Sequence, residues 1–148
     1  MLDFASMLEV LLDAFAMFRG LLKRNICLSK MKTFSEILND AAKDVKEIDI
    51  FQLKKLLDDD SKFTLIDIRE DNELLHGKIN KAEHIGRGVL EKSIEGHVFD
   101  REEEIVLYCA RGVRSVLGCK SLQEMGYAKV FSLKGGIGDW INAGFPLV

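Results

Sequence analysis

Hydrophobic positions near the start of the chain repeat with the period of a helix. Placed at about 100° per residue, the large apolar side chains fall on one narrow stripe, and most charged residues fall opposite it. The stripe consists of Phe4, Leu8, Leu11, Phe15, Phe18 and Leu22. The segment is therefore predicted to be an amphipathic helix. Its apolar face must be covered by the rest of the chain, by a second copy of the chain or by a membrane surface, and the pattern leaves all three open.

This first segment lacks the marks of a signal peptide or of a membrane span. Asp3, Glu9 and Asp13 interrupt it, and Lys23 and Arg24 follow it instead of preceding it. The segment also has no surplus of lysine and arginine, which helices on membrane surfaces usually carry. Contact with a membrane surface is therefore favoured less than a homodimer formed through this helix.

From about residue 46 onward, apolar runs typical of strands alternate with helical patterns. Strands are predicted at 48–50, 63–68, 82–85, 105–108 and 129–133. Helices are predicted at 51–57, 72–76, 89–94 and 114–125, with a last helix opened by Gly135 and Gly136, while 33–45 is a helix or a linker. This alternation predicts an α/β domain with a central parallel sheet flanked by helices over 46–148. Residues 1–45 are predicted to be a helical N-terminal extension, and a natural start at Met31 stays open.

Composition narrows the classes of partner. The chain has 148 residues, of which 47% are hydrophobic, enough for one compact core. Its formal net charge of -3 provides no basic field, so we expect no nucleic-acid partner.

Cysteine and histidine spacing argue against a disulfide framework and against a metal site. Cys27, Cys109 and Cys119 form no CxxC pair, which favours a reducing compartment and a cytoplasmic location. The histidines lack the tight spacing of zinc ligands. We therefore expect neither a metal nor another cofactor.

One cysteine occupies a position that suits chemistry. Cys109 follows the apolar strand 105–108 and precedes a predicted helix, at the sheet edge where ligands of parallel sheets gather. Unpaired N–H groups at the start of that helix, together with Arg111 and Arg114, favour the thiolate form of a cysteine. Gly112 lets the loop curl so that main-chain N–H groups point inward. The alternative is a buried, inert cysteine at a strand end.

The loop that begins at Cys109 resembles the active-site loop of rhodanese domains. Its residues are Cys109, Ala110, Arg111, Gly112, Val113, Arg114 and Ser115. The resemblance continues in order over 48–148, through the motifs Leu65-Ile66-Asp67-Ile68-Arg69-Glu70, Gly126-Tyr127, Leu133-Lys134-Gly135-Gly136-Ile137 and Ala143-Gly144-Phe145-Pro146. It implies a three-layer rhodanese-like fold in which Cys109 is the nucleophile and the loop binds a persulfide.

The resemblance also implies a reaction and its partners. A sulfane sulfur would pass from a small donor such as thiosulfate to Cys109, and then to a thiol or cyanide acceptor, either a small molecule or a protein. Asp67 and Arg69 would be supporting residues near the loop. Arg87 lies where relatives often line the mouth of the pocket, so it either contacts substrate or braces its loop.

A departure from the family pattern and the length of the loop refine this expectation. Where the family commonly has Gly-His-Ile-Pro-Gly-Ala, this chain has Gly77-Lys78-Ile79-Asn80-Lys81-Ala82. Four residues separate Cys109 from Arg114, one fewer than in phosphatases and arsenate reductases of the same fold, and the shorter loop favours sulfur over phosphate. Cys119 is expected to be a packing residue of the following helix.

A second function stays open on the sequence alone. Many domains of this fold are non-catalytic docking or regulatory modules, and the N-terminal helix would then be the partner surface. The presence of Cys109 with both loop arginines favours the enzyme.

Overall fold

The computed structural model describes residues 31–148 and, before them, only Glu9, Leu11, Leu12 and Phe15. These four residues are helical, and Leu11 and Phe15 of the predicted stripe are both more than half exposed. The remainder of that stripe and Cys27 lie outside the described residues. The chain divides into two compact units, Met1–Thr33 and Phe34–Val148.

The second unit is built on a parallel sheet of five strands in the order β1-β5-β4-β2-β3. The strands are β1 (Lys46–Ile48), β2 (Thr64–Asp67), β3 (Glu83–His84), β4 (Glu104–Tyr108) and β5 (Lys129–Leu133). The central strand β4 places Leu107 opposite Ile66 of β2 and Ser132 of β5. The predicted parallel sheet is thereby confirmed, and residues that follow β4 lie at the middle of its carboxyl edge.

Helices cover both faces of the sheet. They are α1 (Phe34–Asp44), α2 (Ile50–Asp58), α3 (Leu90–Ser93), α4 (Val113–Glu124) and α5 (Gly136–Asn142). Three short 3-10 helices occupy Asp71–His76, Arg87–Val89 and Ile94–Gly96. The predicted helix over 89–94 is thus α3 joined to 3-10 turns at either end.

Side chains of β4 alternate between two buried hydrophobic clusters. Ile105, Leu107 and Cys109 belong to the cluster that includes residues of α1 and α4. Val106 and Tyr108 belong to the cluster that includes residues of α2 and α5. Because successive side chains of a strand point to opposite faces, the thiol of Cys109 lies on the α1 and α4 side of the sheet.

Helix α1 belongs to the same compact unit as the sheet, although the predicted boundary at residue 45 assigns it to the extension. Ala41 and Val45 are buried in the cluster that contains Cys109. At the end of the helix, the Asp44 carboxylate accepts a hydrogen bond of 2.6 Å from Lys120 of α4. Its apolar face therefore completes one layer of the domain instead of ending in a linker.

A capping box fixes the start of α2. The Asp49 side chain accepts a hydrogen bond of 2.8 Å from the Gln52 N–H, and the Gln52 side chain accepts one of 2.9 Å from the Asp49 N–H. These two bonds satisfy main-chain donors that the first helical turn leaves free. The predicted strand at 48–50 therefore stops at Ile48, and Ile50 is already helical.

Candidate active site

Cys109 lies directly after β4, at the centre of the carboxyl edge of the sheet, and is only 1% exposed. Its Sγ lies 3.7 Å from the hydroxyl oxygen of Ser115. A reagent can therefore reach the thiol only through the loop that surrounds it.

The start of helix α5 holds the carbonyl groups of the loop. The Ile137 N–H donates to the Cys109 carbonyl at 2.9 Å, and the Gly138 N–H donates to the Ala110 carbonyl at 3.0 Å. Within residues 31–148, the main-chain N–H groups of 111–115 find no acceptor. With the carbonyls held by α5, these N–H groups are free to bind a negatively charged sulfur or oxygen atom.

Glycines allow the loop and α5 to approach each other. A Cβ on Gly136 would lie 2.3 Å from the Cys109 carbonyl oxygen, and a Cβ on Gly112 would lie 3.2 Å from the Gly135 nitrogen. Gly112 and Gly136 also have φ of +88° and +61°, in the left-handed region that favours glycine. Gly136, which the sequence marks as a helix opener, thus also shapes the loop around Cys109, together with Gly112.

Two buried hydroxyl groups support the loop from inside the domain. The Ser115 hydroxyl donates to the Gly112 carbonyl at 2.9 Å and lies 2.8 Å from the hydroxyl of Ser132. Ser132 is fully buried on β5 and is not among the predicted site residues. Its signal in the sequence is a single hydroxyl within the apolar strand 130–133.

Arg114 is tied to acidic residues that sequence reasoning missed. Its guanidinium donates to the Glu73 carboxylate at 2.8 and 2.9 Å and lies 3.8 Å from the Glu70 carboxylate. The hydrogen bonds with Glu73 raise the pKa of Arg114, and the negative charge of a Cys109 thiolate adds to that shift. The same pair lowers the pKa of Glu73, chiefly through the hydrogen bonds from Arg114. Arg114 therefore neutralises Glu73 while remaining within electrostatic reach of Cys109.

Asp67 and Arg69 form a buried ion pair behind this contact. Arg69 Nη2 lies 2.6 Å from Asp67 Oδ2, and both side chains are at most 5% exposed. The guanidinium also donates to the carbonyls of Glu73 at 3.1 Å and Gly77 at 2.9 Å. Burial is the largest single influence on the pKa of Arg69 and lowers it, but the hydrogen bonds and the charge of Asp67, with smaller contributions from Tyr108 and Glu73, together raise that pKa. The pair fixes the segment 73–77, and that segment holds Arg114.

The segment 77–82, whose sequence departs from the family pattern, contains a residue other than glycine with a positive φ. Lys81 adopts φ of +65° at the position where the family motif has glycine. The Asn80 side chain accepts a hydrogen bond of 2.9 Å from the Lys81 N–H. A left-handed lysine replaces glycine here at some cost in backbone strain.

Arg87 is engaged by protein groups. It donates to the Glu91 carboxylate at 2.8 Å and to the Ser121 hydroxyl of α4 at 3.2 Å. A cavity of about 620 Å³ is lined by residues of the neighbouring loops, including Asp71, His84 and His97, and Arg87 is not among them. These contacts are the kind expected if Arg87 braces its loop instead of contacting substrate.

The other cysteine of the described chain packs in the core. Cys119 is fully buried in the same cluster as Cys109, and burial raises its pKa. Among the described residues, no group of three or more histidine, cysteine and acidic side chains is arranged to hold a metal ion. None of the helices described is both long and apolar enough to cross a bilayer.

Comparison with known proteins agrees with this geometry. The family model of the rhodanese-like domain matches residues 50–143. The chain belongs to the rhodanese family. A sulfurtransferase of Allochromatium vinosum is 34% identical to this rhodanese over 104 residues, which cover 70% of this chain and 95% of that protein.

Solved structures share the rhodanese fold. The polysulfide-sulfur transferase homodimer of Wolinella succinogenes is 30% identical with a TM-score of 0.68, covering 78% of this chain and 86% of that one. A Rhodopseudomonas palustris protein described as of unknown function and as a possible tyrosine phosphatase is 29% identical with a TM-score of 0.73, covering 80% and 96%. The rhodanese-like domain, with its central parallel sheet between helical layers, is thereby confirmed.

Proposed function

We propose that this rhodanese is a sulfurtransferase that moves a sulfane sulfur from a donor such as thiosulfate to a thiol or cyanide acceptor through a persulfide on Cys109. The observation that carries the proposal is the set of unpaired N–H groups of 111–115, in the loop that begins at Cys109. The sulfurtransferase names of relatives over most of the rhodanese domain support the class of reaction.

The first step loads the enzyme. The Cys109 thiolate attacks the outer sulfur of thiosulfate, a bond forms between Sγ and that sulfur, and the sulfur–sulfur bond of thiosulfate breaks. The electron pair of that bond leaves on sulfite, and the transferred sulfur keeps its negative charge as the outer atom of the persulfide. The free N–H groups of the loop would stabilise that charge.

The second step releases the sulfur. A nucleophilic acceptor attacks the outer sulfur, and the electron pair of the persulfide bond returns to Sγ as a thiolate. No metal or redox cofactor is required, because the transferred sulfur keeps its oxidation level. The burial of Cys109 restricts the reaction to donors and acceptors slim enough to enter the loop.

Intact-mass spectrometry after incubation with thiosulfate tests the proposal. We expect the protein to gain the mass of one sulfur atom and to lose it when an acceptor thiol is added. Cys109→Ser should gain none, while Cys119→Ser, the control, should load like the parent protein. A protein that gains no sulfur from thiosulfate or polysulfide would contradict the proposal.

A further inference from the structure

A groove of about 280 Å³ runs beside the active-site loop. One wall is helix α1, with Leu38 and Ala42, and the other is formed by the loop residues Gly112 and Val113. Val116 of α4 also lines it. The volume is at the small end of ligand sites in proteins, which suits a molecule of a few heavy atoms better than a folded partner.

Charged groups of both signs line this groove. Arg111 and Lys134 supply positive charges, and Glu47 supplies a negative one. Within the described chain, none of the three has an ion-pair partner within 4.0 Å, so the opposite charges do not neutralise each other across the groove. A small ligand that carries both a carboxylate and an ammonium group would provide a partner for the charges of both signs.

The groove is next to the thiol that the proposed function uses. Val116 is in the same buried cluster as Cys109, on the same face of the sheet. Lys134 comes directly before the glycine pair whose second member contacts the Cys109 carbonyl. A ligand in the groove would therefore lie against the wall of the loop that surrounds Sγ.

We propose that this groove binds a small zwitterionic thiol as the sulfur acceptor, with its carboxylate at Arg111 and Lys134 and its ammonium group at Glu47. The inference rests on the proposed function and adds the class of acceptor. Leu38, Ala42 and Glu47 precede the residues 50–143 matched by the family model, so this wall is contributed by a part of the chain outside that match.

The transfer balances without an oxidant or a reductant. The acceptor thiol gives its proton to the charged outer sulfur of the Cys109 persulfide, and the thiolate so formed attacks that sulfur to make a new sulfur–sulfur bond on the acceptor. The bond to Sγ breaks and its electron pair returns to Sγ. The acceptor leaves as a persulfide that carries the proton, and Cys109 is again a thiolate.

Four thiols separate the contributions of the two charges. 2-Mercaptoethanol has neither charge, 3-mercaptopropionate has the carboxylate, cysteamine has the ammonium group and cysteine has both. For each variant, the KM for each charged thiol is divided by the KM for 2-mercaptoethanol, and the quotient is compared with the parent protein. This comparison cancels both the intrinsic reactivity of each thiol and any change in loading.

Lys134→Gln should raise the quotient about five-fold for the two thiols that carry a carboxylate, as expected for a lost charge-assisted contact at a half-open site. Glu47→Gln should raise it by a similar factor for cysteamine and cysteine, which carry the ammonium group. Lys129→Gln is the matched control, because it removes the same charge at the opposite end of β5 and should leave every quotient unchanged. Unfolding curves of all three variants verify that the fold is retained.

Binding without turnover gives an independent result. S-Methylcysteine has both charges but cannot accept sulfur, and its titration should shift the amide NMR signals of 111–113 in the parent protein and less in Glu47→Gln. If neither substitution changes the KM quotients and S-methylcysteine does not shift the loop amide signals, the inference is overturned, even if Cys109 loads normally. Failure to load with intact S-methylcysteine binding would overturn the proposed function and leave the groove as a ligand site.

Discussion

Arg114 donates two hydrogen bonds, of 2.8 and 2.9 Å, to Glu73, which lies 41 residues earlier in the chain. The contact joins the active-site loop to the 3-10 helix Asp71–His76. The carbonyl of Glu73 in turn accepts a hydrogen bond from Arg69, whose guanidinium is paired with Asp67. The conformation of the loop thus depends on a series of polar contacts that begins in the core.

Replacing Glu73 by Gln should weaken this support. We expect the free energy of unfolding at neutral pH to fall by about 1 kcal/mol, the upper range for a partly exposed bidentate pair. The pKa of Glu73 is lowered in the folded protein, so the stability it contributes is present above its ordinary pKa of 4.5 and is lost as pH falls through the lower folded value.

Urea unfolding at neutral and at acidic pH measures this effect. The parent protein should lose more stability than Glu73→Gln as the pH falls below about 4.5, where protonation of the carboxylate removes the difference between them. Glu70→Gln, at the longer distance of 3.8 Å, should change stability less. Equal pH dependence in the parent protein and Glu73→Gln would contradict the assignment.

A methyl group on Gly136 should disrupt the loop. In Gly136→Ala the new Cβ would lie 2.3 Å from the Cys109 carbonyl oxygen, so the loop or the start of α5 must move. We expect a loss of about 3 kcal/mol of stability, from the clash and the left-handed backbone together, and a large drop in sulfur loading.

Gly144→Ala provides the matched control for that substitution. Gly144 has φ of +76°, but a Cβ there meets nothing within 4 Å. It should therefore cost only about 1 kcal/mol from backbone strain and leave sulfur loading unchanged. If both variants load sulfur alike, the close approach of Gly136 has no role in shaping the loop.

Removing the buried carboxylate of Asp67 should lower the free energy of unfolding much more than removing an exposed carboxylate. Asp67→Ala leaves the guanidinium of Arg69 buried without its charge partner, so we expect a loss of about 3–5 kcal/mol in the free energy of unfolding. Asp58, whose exposed carboxylate pairs with Lys54, is the control, and Asp58→Ala should have little effect. Chemical denaturation of the two variants measures both changes in the free energy of unfolding. Similar losses in the two variants would mean that the buried pair stabilises the protein no more than the exposed one.

The two buried cysteines should differ in their reactivity, and the reactivity of Cys109 should depend on the size of the reagent. Burial raises the pKa of Cys119, so it should stay unmodified by iodoacetamide until the protein unfolds. Cys109, which is 1% exposed, should load from thiosulfate but react slowly with a bulky maleimide. Peptide mapping after timed exposure measures both rates. Labelling of native Cys109 by the maleimide as fast as a free thiol would show that the loop does not restrict access.

Much of the fold follows from local patterns in the sequence. The continuous apolar run at 105–108 predicts a buried central strand, and β4 (Glu104–Tyr108) confirms it. The predicted strand at 129–133 coincides with β5, and Gly126 follows the end of α4 closely, as a helix stop does. These features depend on neighbours in sequence, which is why periodicity and turn residues suffice to predict them.

The contacts that shape the site could not be predicted in this way. The N–H group of Ile137 finds the carbonyl of Cys109 only after two strands and two helices have been placed in register. In the sequence, Glu73 is likewise one of several acidic residues in a charged turn. No local pattern predicts that it pairs with Arg114. The resemblance to rhodanese domains identifies the loop. The hydrogen bonds that hold the loop in place depend on tertiary distances, which the sequence does not show.

The two outermost strands of the sheet are very short. β1 has three residues and β3 has two, so each side of the described sheet exposes few main-chain groups that could pair with a strand from another molecule. Long, flat borders are the ones that invite intermolecular β-pairing and aggregation. A concentrated solution of the Phe34–Val148 unit should therefore resist fibril-like growth, and any association between its copies would have to use helical or loop surfaces.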